Sequence, residues 1–300
     1  VTVVTPRRID TVALTRVRAR DPERIAALWD ERAPRPLLPA DGRLLLVAAD
    51  HPARAALGVG SDPMAMASRS DLLARLVTAL ERPGVDGVLG TPDVLDDLLL
   101  LGALEGKVVI GSMNRGGLQG SAWELDDRFT GYTAREVQER GLDGGKMLTR
   151  IALDDPRTID TLQACAAAVT ELAALGRMAI VEPFWSVVEH GGVRNLLDPD
   201  SMIRAVSVAS GLGASSAHTW LKLPVVDDLA RVLDATTLPT LLLGGDPPGA
   251  PSETYAAWGR SLELPAVHGL VVGRALLYPP DADVAAAVDI AVDLVHGGVS

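Results

Sequence analysis

Only three of the 28 basic residues are lysines, Lys107, Lys146 and Lys222, and the other 25 are arginines. A guanidinium stays protonated and cannot act as an amine nucleophile, whereas a buried lysine can lose its proton. Two of the lysines interrupt apolar runs, Lys146 in GGKML and Lys222 in HTWLKLPVV, and two carboxylates do the same, Asp50 in LLLVAAD and Glu182 in IVEPF. A charge inside such a run is costly to bury without a partner or a task. Trp220, Leu221 and Leu223 would desolvate Lys222, and a second cation at Lys146 would lower its pKa further. Moving a lysine from ~10.4 to ~7–8 corresponds to roughly 4 kcal/mol, within reach of burial plus one like charge. A neutral amine beside a cation and a carboxylate can attack a ketone, giving a carbinolamine and then an iminium electron sink. The same residues also fit a structural ion pair between Lys222 and Glu182. Lys107 stands at the start of its run and reads as a solvated charge.

A second group suits an anion. LLLGGD (241–246) and VVGRALLYP (271–279) place Gly244, Gly245 and Gly273 where backbone N–H groups could approach a phosphate, and Arg274 could add a charge-assisted contact. The histidines, His51, His190, His218, His268 and His296, show no metal-ligand spacing, so neither a metal nor a cofactor is expected. His51, beside Asp50, is a candidate substrate contact, while His218 and His268 begin strands and read as capping or core residues. The lone Cys165 excludes an intrachain disulfide, fits a reducing compartment and reads as a buried helix residue.

These residues need a scaffold, and the alternation of short apolar runs with amphipathic segments supplies one. Strands are predicted at 43–50, 86–90, 107–113, 144–151, 178–184, 218–224, 239–245 and 268–274. Helices are predicted at 68–82, 93–103, 133–140, 156–175, 199–212, 227–235, 252–263 and 281–296. Apolar runs without clear alternation suit a parallel sheet covered on both faces. Eight strands, each followed by a helix, make an α/β chain of the (β/α)8 TIM-barrel class, with the catalytic residues expected at the C-terminal strand ends. A doubly wound sheet is the rival, but HPARAALGVG after Asp50 is not a G-x-G-x-x-G turn. Residues 1–42 form an N-terminal helical extension ahead of a barrel over 43–300, with one helix near 21–32 that Asp21 could cap, set against the barrel's bottom or side. The connection 114–133 is too long for an ordinary turn and is a candidate lid.

Composition narrows the partners. The chain is 48% apolar and 22% charged, with 39 acidic against 28 basic residues and a net charge of −11. That balance, with no basic cluster, argues against nucleic acid. No apolar run reaches the length of a membrane span and no secretory signal is evident, so a cytoplasmic protein is expected.

The ordered set of Asp50 in VAADHPAR, Lys146 in GGKML, Glu182 in IVEPF, Lys222 in WLKLPV, the GG of LLLGGD and the GR of VVGRALL resembles class I, Schiff-base aldolases. The type is that of the tagatose-bisphosphate and bacterial or archaeal fructose-bisphosphate enzymes, in an actinobacterial branch, and the resemblance spans about residues 43–295. It implies Lys222 as the iminium-forming lysine, Glu182 as the proton shuttle for carbinolamine dehydration, and Lys146 as a cation that tunes Lys222 and contacts substrate hydroxyls. Asp50 would bind or deprotonate the hydroxyl whose proton loss breaks the C–C bond. Gly244, Gly245, Gly273 and Arg274 would hold the phosphate of a dihydroxyacetone phosphate half.

The sequence departs from that pattern at His51-Pro52, where related enzymes have Gln-Arg or His-Gly, and Arg54, the other candidate substrate contact, is displaced accordingly. Phe184 and Trp185 stand where the archaeal type has aromatic hydroxyls, which leaves proton transfer to Glu182. Similar chains occur in actinobacterial inositol catabolism, which implies 5-dehydro-2-deoxygluconate 6-phosphate as substrate, split into dihydroxyacetone phosphate and malonate semialdehyde. The resemblance also implies a homo-oligomer. Two other readings stay open: an isomerase or epimerase using Glu182 and Asp50 as acid and base, and a catalytically silent sugar-phosphate binding protein.

Overall fold

The computed structural model describes residues 9–245 and 251–297. The strands are β1 Leu44–Ala48, β2 Gly87–Gly90, β3 Val108–Ser112, β4 Gly144–Ile151, β5 Met178–Glu189, β6 Gly192–Leu196, β7 Thr219–Pro224, β8 Thr240–Leu243 and β9 Val267–Val272. All but β6 are parallel neighbours, and pairing runs from β1 through β2, β3, β4, β5, β7, β8 and β9 back to β1. The sheet is therefore a closed (β/α)8 barrel. The helices are α1 Thr11–Arg20, α2 Glu23–Glu31, α3 Arg69–Leu80, α4 Pro92–Leu100, α5 Ala134–Glu139, α6 Arg157–Ala174, α7 Pro199–Ser210, α8 Leu229–Leu233, α9 Pro251–Leu262, α10 Arg274–Leu277 and α11 Val284–His296. No helix among the described residues is long and apolar enough to cross a membrane.

The continuous apolar runs hide a two-residue period. Leu45, Val47, Val109, Ala179, Val181, Leu221 and Leu223 face outward into the core shared with the helices. Leu44, Leu46, Val108, Ile110, Met178, Ile180, Leu241 and Val271 face inward and fill the barrel axis. Successive side chains of a strand point to opposite faces. Two residues beyond an inward apolar side chain, Ala48, Ile110, Ile180 and Trp220 in turn, the sequence therefore presents Asp50, Ser112, Glu182 and Lys222 at the barrel mouth. The apolar plug beneath them excludes water from below.

Several local features depart from the expectations. Strand β5 runs past 184 to Glu189 and turns back antiparallel into β6, with Glu189 opposite Gly192. His190 and Gly191 form the turn with φ of 51° and 80°, the left-handed pair that matches the twist of a tight hairpin. A helix not foreseen, α1, starts at Asp10, whose side chain accepts from Ala13 N at 3.0 Å. Asp21 does not cap α2 with its side chain: Pro22 takes the N-cap position, and the Asp21 amide closes α1 onto Val17 O at 2.8 Å.

The first helices cover the barrel's side, where Trp29 donates to Asp96 of α4 at 2.8 Å and Arg18 pairs with Asp97 at 2.7 Å. The segment after α2 reaches the bottom, where Arg32 donates to Lys107 O at 3.0 Å and Gly141 O at 2.6 Å. Lys107 is not a solvated charge, because its Nζ donates to Val85 O at 2.6 Å and burial lowers its pKa. His268, expected as a capping or core residue, is half-buried, 3.2 Å from Gly42 O and edge-on to Trp220.

The C-terminal helix is fastened to the bottom by a charged knot. His296 Nδ1 lies 2.5 Å from Asp41 Oδ2 and its Nε2 lies 3.2 Å from Asp86 Oδ2. Asp86 also accepts from Leu45 N at 2.8 Å, which ties the knot to β1. The Asp86 carboxylate, and Asp41 after it, raise the His296 pKa to about 9. A raised folded-state pKa contributes stability that is complete below the ordinary histidine value and fades as pH rises through the folded value. The wild-type melting temperature should accordingly exceed that of His296→Asn at pH 6 by more than at pH 10, as read by thermal denaturation. An equal gap at both pH values would contradict the knot's charge.

Candidate active site

The two-residue period brings four of the sequence-predicted charged side chains together at the mouth. Lys222 Nζ donates to Glu182 Oε1 at 2.6 Å across the β5–β7 pair. Lys146, from β4, pairs with Glu182 Oε2 and reaches Asp50 Oδ2 at 3.4 Å. Asp50 is completed by Ser112 Oγ at 3.2 Å and by an ion pair with Arg115, a residue of the long connection after β3. All these contacts use Oδ2; Asp50 Oδ1 is buried without a hydrogen-bond partner among the described residues. The His51 Nδ1 is likewise unpartnered and stands 4.0 Å from that oxygen.

Burial and mutual charge set the protonation of the cluster. Burial would raise the Glu182 pKa, but Lys146, Lys222 and Arg115 outweigh it and hold the carboxyl well below the usual carboxylate range. Burial lowers both lysines, and Lys146, fully enclosed and repelled by Arg115 and Lys222, falls furthest. Lys222 is lowered by burial against the pull of Glu182, with Arg115 and Arg274 as the opposing cations. Fully ionised, Arg115, Lys146 and Lys222 exceed Asp50 and Glu182 by one charge, so loss of one lysine proton neutralises a cluster that is out of water. Burial and the neighbouring cations, Arg274 first, lower the His51 pKa to about 3, which makes it a neutral ring.

Above the cluster lies a cavity of about 260 Å³. Lys222 and Glu182 form part of its wall, with Gly244, Gly245, Gly273 and Arg274 on one side and His51, Arg54, Arg115 and Arg150 among its other wall residues. Lys146 and Asp50 lie beneath rather than on the wall, 0% and 1% exposed. Gly245 adopts φ 63°, and a Cβ on Gly273 would come within 2.8 Å of His51 Cε1, so the backbone borders this wall closely. Arg274 reaches Gly58 O at 3.4 Å. Asp246, the last residue of the LLLGGD motif, lies outside the described residues.

The connection 114–133 folds over the mouth and is fastened there. Asn114 Nδ2 donates to Leu148 O at 2.6 Å and its Oδ1 accepts from Leu148 N at 2.7 Å. Arg54 donates to Gly117 O at 2.8 Å and pairs with Glu124 at 3.3 Å, while Arg150 holds Asp127 at 2.6 and 2.8 Å. Sequence reasoning missed Ser112, Arg115, Arg150 and Asn195. Ser112 and Arg150 follow the same alternation, two residues beyond Ile110 and Leu148. Asn195 sits on β6, whose hairpin carried no clear signal, and accepts from Ser186 Oγ at 2.8 Å beside the cavity.

A profile of the Cgl0159-like family matches residues 42–292. The crystal structure of Cgl0159 from Corynebacterium glutamicum (Brevibacterium flavum) is 54% identical over 96% of this chain and 97% of that one, with a TM-score of 0.93. An archaeal fructose 1,6-bisphosphate aldolase is 16% identical over 87% of this chain and 97% of that one, with a TM-score of 0.63. An archaeal fructose-1,6-bisphosphate aldolase whose catalytic lysine is covalently bound to the carbinolamine intermediate of its substrate is 17% identical over the same shares, with a TM-score of 0.65. At these identities the likeness to the aldolases is one of fold. No curated protein matches the chain significantly. The profile covers the whole barrel and the 54% identity extends to nearly the whole chain, so the chain belongs to the Cgl0159-like family.

Proposed function

We propose that the protein is a metal-independent class I aldolase that breaks or forms a C–C bond in a phosphorylated keto sugar or sugar acid through a Schiff base on Lys222. The observation that carries the reading is the Lys222–Glu182 contact at 2.6 Å on the cavity wall, backed by the buried Lys146. A purely structural ion pair would need no access to a cavity, and this one has it. The reactive lysine of the archaeal enzyme of like fold forms a carbinolamine, and Lys222 is the lysine here that a substrate can reach.

The Lys222 ammonium hands a proton to Glu182, and the resulting amine attacks the ketone carbon. The nitrogen's surplus proton moves to the former carbonyl oxygen, giving the carbinolamine. Glu182 then delivers its proton to that hydroxyl, which leaves as water, and the iminium remains. Asp50, beneath the wall, accepts the proton of the hydroxyl two carbons from the iminium carbon by way of the neutral His51 ring on the wall, whose Nδ1 stands 4.0 Å from Oδ1. The bond between that hydroxyl-bearing carbon and the carbon next to the iminium breaks, its electron pair forms the enamine, and the aldehyde departs. The proton held by Asp50 returns to the enamine carbon, and hydrolysis of the resulting iminium regenerates Lys222. The glycines and Arg274 hold the phosphate of the ketone half, read as dihydroxyacetone phosphate. The candidate whole substrate is 5-dehydro-2-deoxygluconate 6-phosphate.

The enamine can be tested without knowing the aldehyde. Wild-type protein in deuterium oxide should exchange a C3 hydrogen of dihydroxyacetone phosphate, and Lys222→Met should lose that exchange by at least ~100-fold. Exchange retained in the variant would overturn the Schiff-base reading in favour of acid–base isomerisation. Because the neutral amine is the nucleophile and the Lys222 pKa is lowered, the exchange rate should rise with pH and level off below 10.5, the ordinary lysine value. Gly273→Ala should raise the KM for dihydroxyacetone phosphate by about tenfold or more, because the added methyl would meet the Ala48 O of β1 first and His51 Cε1 at 2.8 Å next, and must displace the phosphate wall. An unchanged KM in the folded variant would remove Gly273 from the phosphate site.

A further inference from the structure

Four charged groups of the cluster are placed by barrel strands: Asp50 just past β1, Lys146 on β4, Glu182 on β5 and Lys222 on β7. Arg115 is placed instead by the connection 114–133. Its own amide donates to Thr130 Oγ1 at 3.2 Å, Asn114 before it bridges to Phe129, and the Gly116 amide after it donates to Arg128 O at 3.2 Å. Gly117 completes the fold-back, since a Cβ there would meet Glu124 O and come within 2.5 Å of Arg150 Nη2. The two ends of the connection thus grip each other around Arg115, and the segment carries to the site a guanidinium that no strand supplies.

The contact it makes there bears on the base and on the amine. Arg115 Nη2 shares Asp50 Oδ2 with Lys146 and Ser112, so all the donors crowd one oxygen and Oδ1 is left bare. A buried acceptor without a donor is costly, and a proton relieves it. Burial lowers the Arg115 pKa to about 10, so the guanidinium is still a cation at neutral pH. Lys222 faces Glu182 from β5, which it shares with Lys146 from β4, together with Arg115, Arg274 past β9 and the neutral His51 past β1. Farther out, Arg54 and Arg150 are matched by Glu124 and Asp127. Without Arg115 the two lysines would equal Asp50 and Glu182 in charge, and both would keep their protons more readily. Arg274 adds a cation from the glycine wall, but a phosphate held there would offset it, whereas Arg115 acts against the charge of both lysines with or without that phosphate.

We infer that Arg115 is a positioning residue of the reaction: the connection 114–133 brings it to Asp50, where it holds one carboxylate oxygen so that the other is left for the proton, and where its surplus positive charge frees an amine at Lys222. The inference deepens the aldolase reading and rests on it for what the amine and the carboxylate do, while the first arm of its test needs no reaction.

The chain has only three lysines, so full-length protein labelled with carbon-13 at lysine Cε gives three NMR signals, assigned by single Lys→Arg substitutions. Lys146 and Lys222 share Glu182 and titrate as a pair. In Arg115→Gln the lower midpoint of that pair should move up by about one pH unit or more, which is about tenfold less neutral amine at neutral pH. Arg115→Lys, which keeps the cation, should stay near wild type, and Lys107 at the barrel bottom should not move in either variant. Arg115→Met, similar in length and uncharged, serves if the glutamine variant does not fold. In the second arm, deuterium exchange into saturating dihydroxyacetone phosphate should slow about tenfold or more in Arg115→Gln, with KM within about threefold of wild type. An unmoved midpoint, an equal move in Arg115→Lys, or an exchange defect confined to KM would each overturn the role of Arg115. No exchange by wild type, with the midpoint moving as expected, would overturn the aldolase reading instead.

Discussion

The site depends on one carboxylate placed between two amines. Glu182 places its two oxygens on Lys222 and Lys146, and it is the anion that makes two lysines tolerable where little water reaches them. Removing one member of a buried charge pair costs roughly 3–5 kcal/mol, because the partner is left uncompensated. The same low-dielectric surroundings that make the cluster costly keep the lysine pKa values down, so the expense of burial and the chemistry have a single cause.

The barrel separates the parts that hold it together from those that act. Its bottom is closed by Arg32 on backbone carbonyls, by Lys107 on Val85 and by the His296 knot. Its axis is packed with aliphatic side chains, and only above that plug does the inward register turn to charge. Two insertions then complete the mouth: the connection 114–133, bound down by Arg54 and Arg150, and the β5–β6 hairpin, which adds Asn195 to the wall.

Much of this was legible because it is written in local pattern. Each barrel strand lies within a residue or two of an apolar run, except that β5 runs on beyond 184, and Asp50, Lys146, Glu182 and Lys222 stood out as charges inside such runs. The β5–β6 hairpin was not legible, since WSVVEHGGVRNL mixes short alternation with a turn whose positive φ at His190 no single residue type announces. Helix α1 was missed because it buries little besides Leu14, and its amphipathic signal is correspondingly weak. The partners of Asp50 and the tethering of Arg54 were beyond sequence reach, for they join residues some 60 to 100 positions apart. The expectation of a lid over 114–133 located the segment but not its fastening, which depends on carboxylates paired with arginines that follow β1 or end β4.

The most direct measurement is intact-mass spectrometry of wild-type protein and Lys222→Arg after incubation with dihydroxyacetone phosphate and borohydride, followed by peptide mapping. The account predicts a single reduced adduct on wild type, located on Lys222, and none on the variant. An adduct on Lys146 or Lys107, or no adduct on folded wild-type protein that binds the phosphate, would contradict it.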